Sequence, residues 1–133
     1  MTRSRYRADD PREWLARARS ALAVAKVAAA GADLEDLCFS AQQAAEKAIK
    51  AVMIRRGVRF PYIHELDSLL KVLEDAGEPV PASIQQAGRL NRFASLTRYP
   101  FTGEPVSEED YRRAIQIAES VVQWAGEHIL GAA

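Results

Sequence analysis

Apolar residues recur along this chain at intervals of three and four, which places them on one side of an α-helix. No stretch alternates regularly enough to predict a strand. Five helical stretches stand between turn signals. The first opens at DDPREW, where Asp9 or Asp10 suits the N-cap, Pro11 the first turn and Glu13 the positive end of the helix dipole. Trp14, Leu15, Ala18, Ala21, Leu22, Ala25 and Ala28 follow, and Gly31 ends it. The second opens at Asp33 and carries a stripe from Leu34 and Leu37 through Ala41, Ala45 and Ala48 to Met53. Its alanines let a neighbouring helix approach closely. Gly57 is its C′ stop, with Arg55 and Arg56 in the last turn, where the dipole favours cations. A third helix starts near His64 and carries Leu66, Leu69, Leu70 and Leu73. There His64 stands at or beside the N-cap. A fourth runs from about Pro81 to Phe93 through Ile84, Ala87 and Leu90. After the irregular stretch SLTRYPFTGEPV, Ser107 caps a fifth helix, with Asp110 at the N3 position of a capping-box start. Its stripe runs from Tyr111 and Ala114 to Ile129, and Ile117 and Trp124 widen it, which predicts a second packing partner. The prediction is an all-α, up-and-down antiparallel bundle of about five helices. Extra apolar width on the first and last helices predicts a homodimer.

Length and composition narrow the class. At 133 residues, 48% apolar and 27% charged, the chain reads as one soluble globular domain spanning 1–133, with residues 1–8 as a flexible arm. No apolar run reaches the roughly 20 residues needed to span a bilayer, so no membrane role is expected. The Arg-rich start has no apolar segment behind it and does not read as a secretory signal. The lone Cys38 cannot form an internal disulfide, so cytoplasmic localisation is expected.

Net charge is zero, but charge is uneven along the chain. Residues 50 to 59 carry Lys50, Arg55, Arg56 and Arg59 without an acid, and residues 89 to 98 carry Arg89, Arg92 and Arg98 without one. Brought to one face, these would bind phosphate. Left apart, they are solvated helix faces.

Few residues suggest catalysis. His64, His128 and Cys38 are not spaced as metal ligands, and no Gly-rich phosphate loop or nucleophile elbow is present. No cofactor is expected, and His128 reads as an exposed cation at a helix end. Two candidates remain. In RGVRFPYIHEL, Arg59 and His64 have the chemistry of a metal-free ribonuclease: a base near neutral pKa for the ribose 2′-hydroxyl and a cation for the developing phosphorane charge. The same residues also read as a loop entering a helix, with His64 capping it. In LNRFASLTRYP, Arg92 and Arg98 are phosphate donors, and Phe93 and Tyr99 are surfaces for a base to stack on. Alternatively, the aromatics cover the bundle end and the arginines pair with nearby acids.

Four blocks in order, CFSAQQAAEKAIKAVMIRRG, IHELDSLLKVL, LNRFASLTRYP and SEEDYRRAIQIAESVVQWA, resemble the HEPN domain in order, spacing and residue type, from Trp14 to about Trp124. The resemblance implies a HEPN-like bundle, usually dimeric, linked to nucleotide or RNA binding. It also implies pairing with a small nucleotidyltransferase protein, often as a toxin–antitoxin module. Ribonuclease members carry an arginine followed after four to six residues by a histidine, close to the start of the last helix. Here Arg98 lies in that region, but the next histidine is His128. The resemblance therefore favours nucleotide or partner binding, with Arg55, Arg92, Arg98 and Tyr99 as the phosphate-binding set. A metal-independent ribonuclease using Arg59 and His64 is the alternative.

Overall fold

The computed structural model describes residues 3–27, 30–96 and 104–131. Among them there are six α-helices, one 3-10 segment and no strand. In chain order they are α1 (Pro11–Ala25), α2 (Leu34–Arg55), α3 (Leu66–Asp75), α4 (Ala82–Gln85), the 3-10 segment Gln86–Leu90, α5 (Phe93–Leu96) and α6 (Glu108–Leu130). The helices form the expected all-α, up-and-down antiparallel bundle. Its centre is α2, which α1 and α6 flank and which also touches α3, α5 and the 3-10 segment. Ala41, Ala44, Ala45, Ala48 and Ala51 of α2 are fully buried, so the flanking helices pack close to its backbone.

The helix ends show how local chemistry sets the boundaries. Asp10 caps α1 by accepting the Arg12 N–H at 2.9 Å. The helix stops at Ala25, short of the predicted Ala28, which lies outside the described residues. Tyr111 of α6 donates its hydroxyl to the Ala25 carbonyl at 2.6 Å, satisfying one of the acceptors a helix end leaves open. Beyond that point burial ceases: Val27 is 62% exposed. At the end of α2, Gly57 adopts φ 71°. Its N–H reaches the Ile54 carbonyl, and the Val58 N–H reaches that of Met53 at 2.8 Å, a Schellman closure that only a residue at ease in the left-handed region allows. The same closure ends α3: Gly77 has φ 98°, and the Glu78 N–H reaches the Leu73 carbonyl at 3.0 Å. This turn directs the Glu78 side chain, 4% exposed, inward. There its carboxylate accepts from Arg56 Nη1 at 3.1 Å and meets His128 Nε2 at 3.0 Å. His128 is thus a partly buried tie between the end of α6 and the α3–α4 turn, not the exposed cation expected from the sequence.

Two more expectations are corrected. The third helix starts at Leu66, with Glu65 at the N-cap and His64 beside it as expected, but His64 does not cap it. The cap comes from across the fold: Asn91 Oδ1 accepts the Leu66 N–H at 2.8 Å, while Asn91 Nδ2 donates to Asp67 Oδ1 at 2.8 Å. The predicted fourth helix is broken into α4, the 3-10 segment and α5. Ile84, Ala87, Leu90 and Phe93, all buried, recur at intervals of three, which fits the 3-10 period better than the 3.6 of an α-helix. Gly88 lies so near α3 that a Cβ there would be 3.1 Å from Asp67 Cβ. The second packing partner that the width of the last helix predicts is found within the chain. Ile117 and Trp124 are buried where α4 and the 3-10 segment pack on α6.

The N-terminal segment is tied back to α1. Arg3 grips both oxygens of Glu13 (2.9 and 2.8 Å), the Tyr6 N–H donates to Glu13 Oε1 at 3.0 Å, and Trp14 Nε1 donates to the Ala8 carbonyl at 2.9 Å. No described helix is long and apolar enough to cross a membrane.

Candidate functional site

The capping box of α6 fixes the centre of the site. Ser107 Oγ accepts the Asp110 N–H at 3.0 Å, and Asp110 Oδ2 accepts the Ser107 N–H at 3.1 Å. Asp110 is thereby aimed at the 3-10 segment, with Arg113 one turn further along α6. Opposite stand Arg89, on the 3-10 segment, and Arg92, just after it. Together Arg89, Arg92, Phe93, Asp110 and Arg113 line a cleft of about 150 Å3, with Leu90, Ala114 and Ile117 as its floor.

The Arg92 guanidinium lies 4.9 Å from the centre of the Phe93 ring, 3.9 Å from Asp110 Oδ2, and donates to the Glu104 carbonyl at 3.3 Å. Arg113 reaches Glu109 at 3.4 Å. Arg89 forms no ion pair with any described residue. The Asp110 carboxyl is held below its usual range, first by the Ser107 backbone and side-chain hydrogen bonds and then by the charges of Arg92 and Arg113. It is an anion at neutral pH, with no proton to give as a general acid. Three guanidinium groups against Asp110 in the cleft and Glu109 at its edge, itself shared with Arg112, leave the cleft cationic. Guanidinium is the group best shaped to grip phosphate oxygens. No described group of three His, Cys, Asp or Glu residues is placed to hold a metal.

The sequence-predicted residues do not all meet here. Arg92 lines the cleft. Arg98 and Tyr99 lie outside the described residues, in the connection between α5 and α6. Arg55 is elsewhere. The charge of Arg92 acts on Cys38, near the start of α2. Arg55 ends the same helix, about 25 Å further on at 1.5 Å per residue. Within one chain, therefore, the two basic segments do not share a hollow. Arg59 and His64 are exposed on the α2–α3 loop, and no hydrogen bond joins them among the described residues. His64 instead has its Nδ1 3.9 Å from Glu46 Oε2.

Sequence reasoning missed that carboxylate. Glu46 is buried on α2, where it accepts from Gln42 Nε2 at 3.0 Å and from Lys50 Nζ at 2.9 Å. The signal was Gln42, Glu46 and Lys50 at intervals of four on a helix otherwise lined with alanine. It also missed Arg113, three residues beyond the Asp110 of the capping box and so on the same face of α6.

The fold and the cleft define an all-α bundle protein with a cationic recess between its last helix and a short 3-10 segment. The sequence pattern of the HEPN domain matches residues 11–129. Among solved structures, the chain is similar to ST0689, an archaeal HEPN homologue, at 29% identity and a TM-score of 0.73, over 90% of this chain and 98% of that one. It is similar to TT1696 from Thermus thermophilus at 26% identity and a TM-score of 0.68, over 89% of this chain and 97% of that one. No curated protein sequence matches it. The chain belongs to the HEPN family.

Proposed function

We propose that this chain is a nucleotide- and partner-binding HEPN protein, the helical half of a HEPN–nucleotidyltransferase module of the toxin–antitoxin type. The observation that carries the reading is the gathering of Arg89, Arg92 and Arg113 around one small cleft. The sequence that follows α5 carries Arg98 and Tyr99, a further phosphate donor and a ring on which a base can stack. Arg55, at the other end of α2, has no part in that cleft. It serves instead as an exposed cation for a partner protein or RNA. The homodimer belongs to the same proposal. Val24, 52% exposed near the end of α1, is apolar surface of the kind a second copy would cover.

Calorimetric titration with ATP and GTP tests the nucleotide reading. Binding weakened about tenfold or more by Arg92→Ala, the loss expected for one charge-assisted hydrogen bond, supports it. Absence of binding at millimolar nucleotide, together with unchanged association of Arg98→Ala with a co-expressed nucleotidyltransferase, refutes it. The ribonuclease alternative rests on the exposure of Arg59 and His64 on one loop, with the Glu46 carboxylate 3.9 Å from the imidazole.

A further inference from the structure

A second recess, on the opposite flank of α2, is not used by that reading. The N-terminal segment, α1 and α2 enclose a cleft of about 400 Å3 lined by Arg3, Arg5, Arg17, Ser20, Ala21 and Lys47. It carries four cations. The carboxylate beside it, Glu13, is buried and fully engaged, with Arg3 on both oxygens, the Tyr6 N–H on one and Arg17 Nε on the other at 2.7 Å. That carboxylate orients two guanidinium groups and leaves some of their N–H donors unused. The other two cations lack even this. Arg5 forms no ion pair with a described residue. The one described hydrogen bond of Lys47 goes to the neutral Gln43 Oε1 at 3.3 Å, because the neighbouring Glu46 is taken by Lys50. Ser20 adds a hydroxyl at the wall.

Four cations against the one Glu13 carboxylate leave three net positive charges around this recess, and Arg3, Arg5 and Arg17 stand exposed on its rim, where an incoming anion meets them. Lys47 is the least exposed of the four: burial lowers its pKa from the ordinary lysine value, the Glu46 charge opposes that, and the charges of Arg17 and Lys50 add to it. The volume is that of a small-ligand pocket rather than a single-ion nest. Several separate cations in line suit several linked phosphates.

We propose that this cleft is a second anion site that takes a run of linked phosphates, either a free oligophosphate tail or the backbone of RNA. It acts independently of the Arg89/Arg92/Arg113 cleft.

Calorimetry at low salt with inorganic tripolyphosphate and, separately, with a short oligouridylate tests it. The variants are Arg5→Gln, Lys47→Gln, their double and Arg92→Ala, each checked for an unchanged melt. At least one probe is expected to bind the wild type, with affinity falling about tenfold for each cation removed from this cleft and unaltered by Arg92→Ala. Tripolyphosphate alone responding identifies a free oligophosphate tail; the oligouridylate responding identifies RNA backbone. Failure of both probes to bind, or full affinity in the Arg5→Gln/Lys47→Gln double variant, overturns the proposal. Binding lost only in Arg92→Ala overturns this site while leaving the first intact.

Discussion

The start of α3 offers the sharpest test of how this fold is held. Asn91 accepts the Leu66 N–H at 2.8 Å from a different segment of the chain, doing what an N-cap side chain does, and braces itself by donating to Asp67. Leu66 is fully buried, so in Asn91→Ala its N–H loses a partner where water reaches poorly. Loss of an N-cap side chain costs about 1 kcal/mol. A desolvated, unpaired N–H costs about 1–3 kcal/mol. About 1.5 kcal/mol is therefore expected, a fall in Tm of roughly 5 °C for a chain this size. Asn91→Asp keeps the acceptor but sets a carboxylate against Asp67 and should fall between wild type and Asn91→Ala. His64→Ala, at the residue that sequence position alone would select as the cap, should not move the melt. Differential scanning calorimetry gives the Tm, and amide hydrogen exchange at Leu66 reports the local opening. Equal melts for Asn91→Ala and wild type, with Leu66 still protected, would refute the argument. A destabilised His64→Ala would return the cap to the histidine.

Three further outcomes follow from named groups. The Glu13 carboxyl is held well below the carboxylate range by the Arg3 and Arg17 hydrogen bonds. A depressed folded-state pKa gives stability that is present above the unfolded value, near 4.3, and is lost as pH falls below it; urea unfolding from pH 7 to pH 3 should show that loss in wild type and a smaller one in Glu13→Gln. The Cys38 thiol is pushed up to about 12, chiefly by burial, so a disulfide reagent at pH 8 should label it only after unfolding; labelling of the native protein within minutes would contradict the packing around α2. On the ribonuclease alternative, purified protein in EDTA should cut RNA and His64→Ala should abolish cutting; cutting that survives in the variant removes His64 from the mechanism.

The bundle was legible because helical periodicity, caps and glycine stops all pointed the same way. Gly57 and the Ser107/Asp110 box act as their residue types predict. The misread cap of α3 and the broken fourth helix share a cause, since each is settled by a contact from a distant segment. Asn91 fixes the start of α3, and the closeness of Gly88 to α3 accompanies the 3-10 segment, although the three-residue spacing from Ile84 to Phe93 was readable beforehand. The candidate site was legible only in part. Local sequence marked Arg89 and Arg92, but Arg113 needs the register of α6 to find it. The separation of Arg55 from Arg92 needs the length of α2. The second basic cleft joins residues from the N-terminal segment, α1 and α2, which no linear charge window groups together.

The sharing of one carboxylate by Arg56 and His128 makes Glu78 a clasp between two remote helix ends. Its two strands are energetically coupled, because whichever partner is lost first leaves the same buried oxygens to the other. The losses in Arg56→Ala and His128→Ala should therefore not sum in a double-mutant cycle. Loosening the end of α6, whether by truncation or by a partner that grips it, would be felt at the end of α2, across the molecule and far along the sequence.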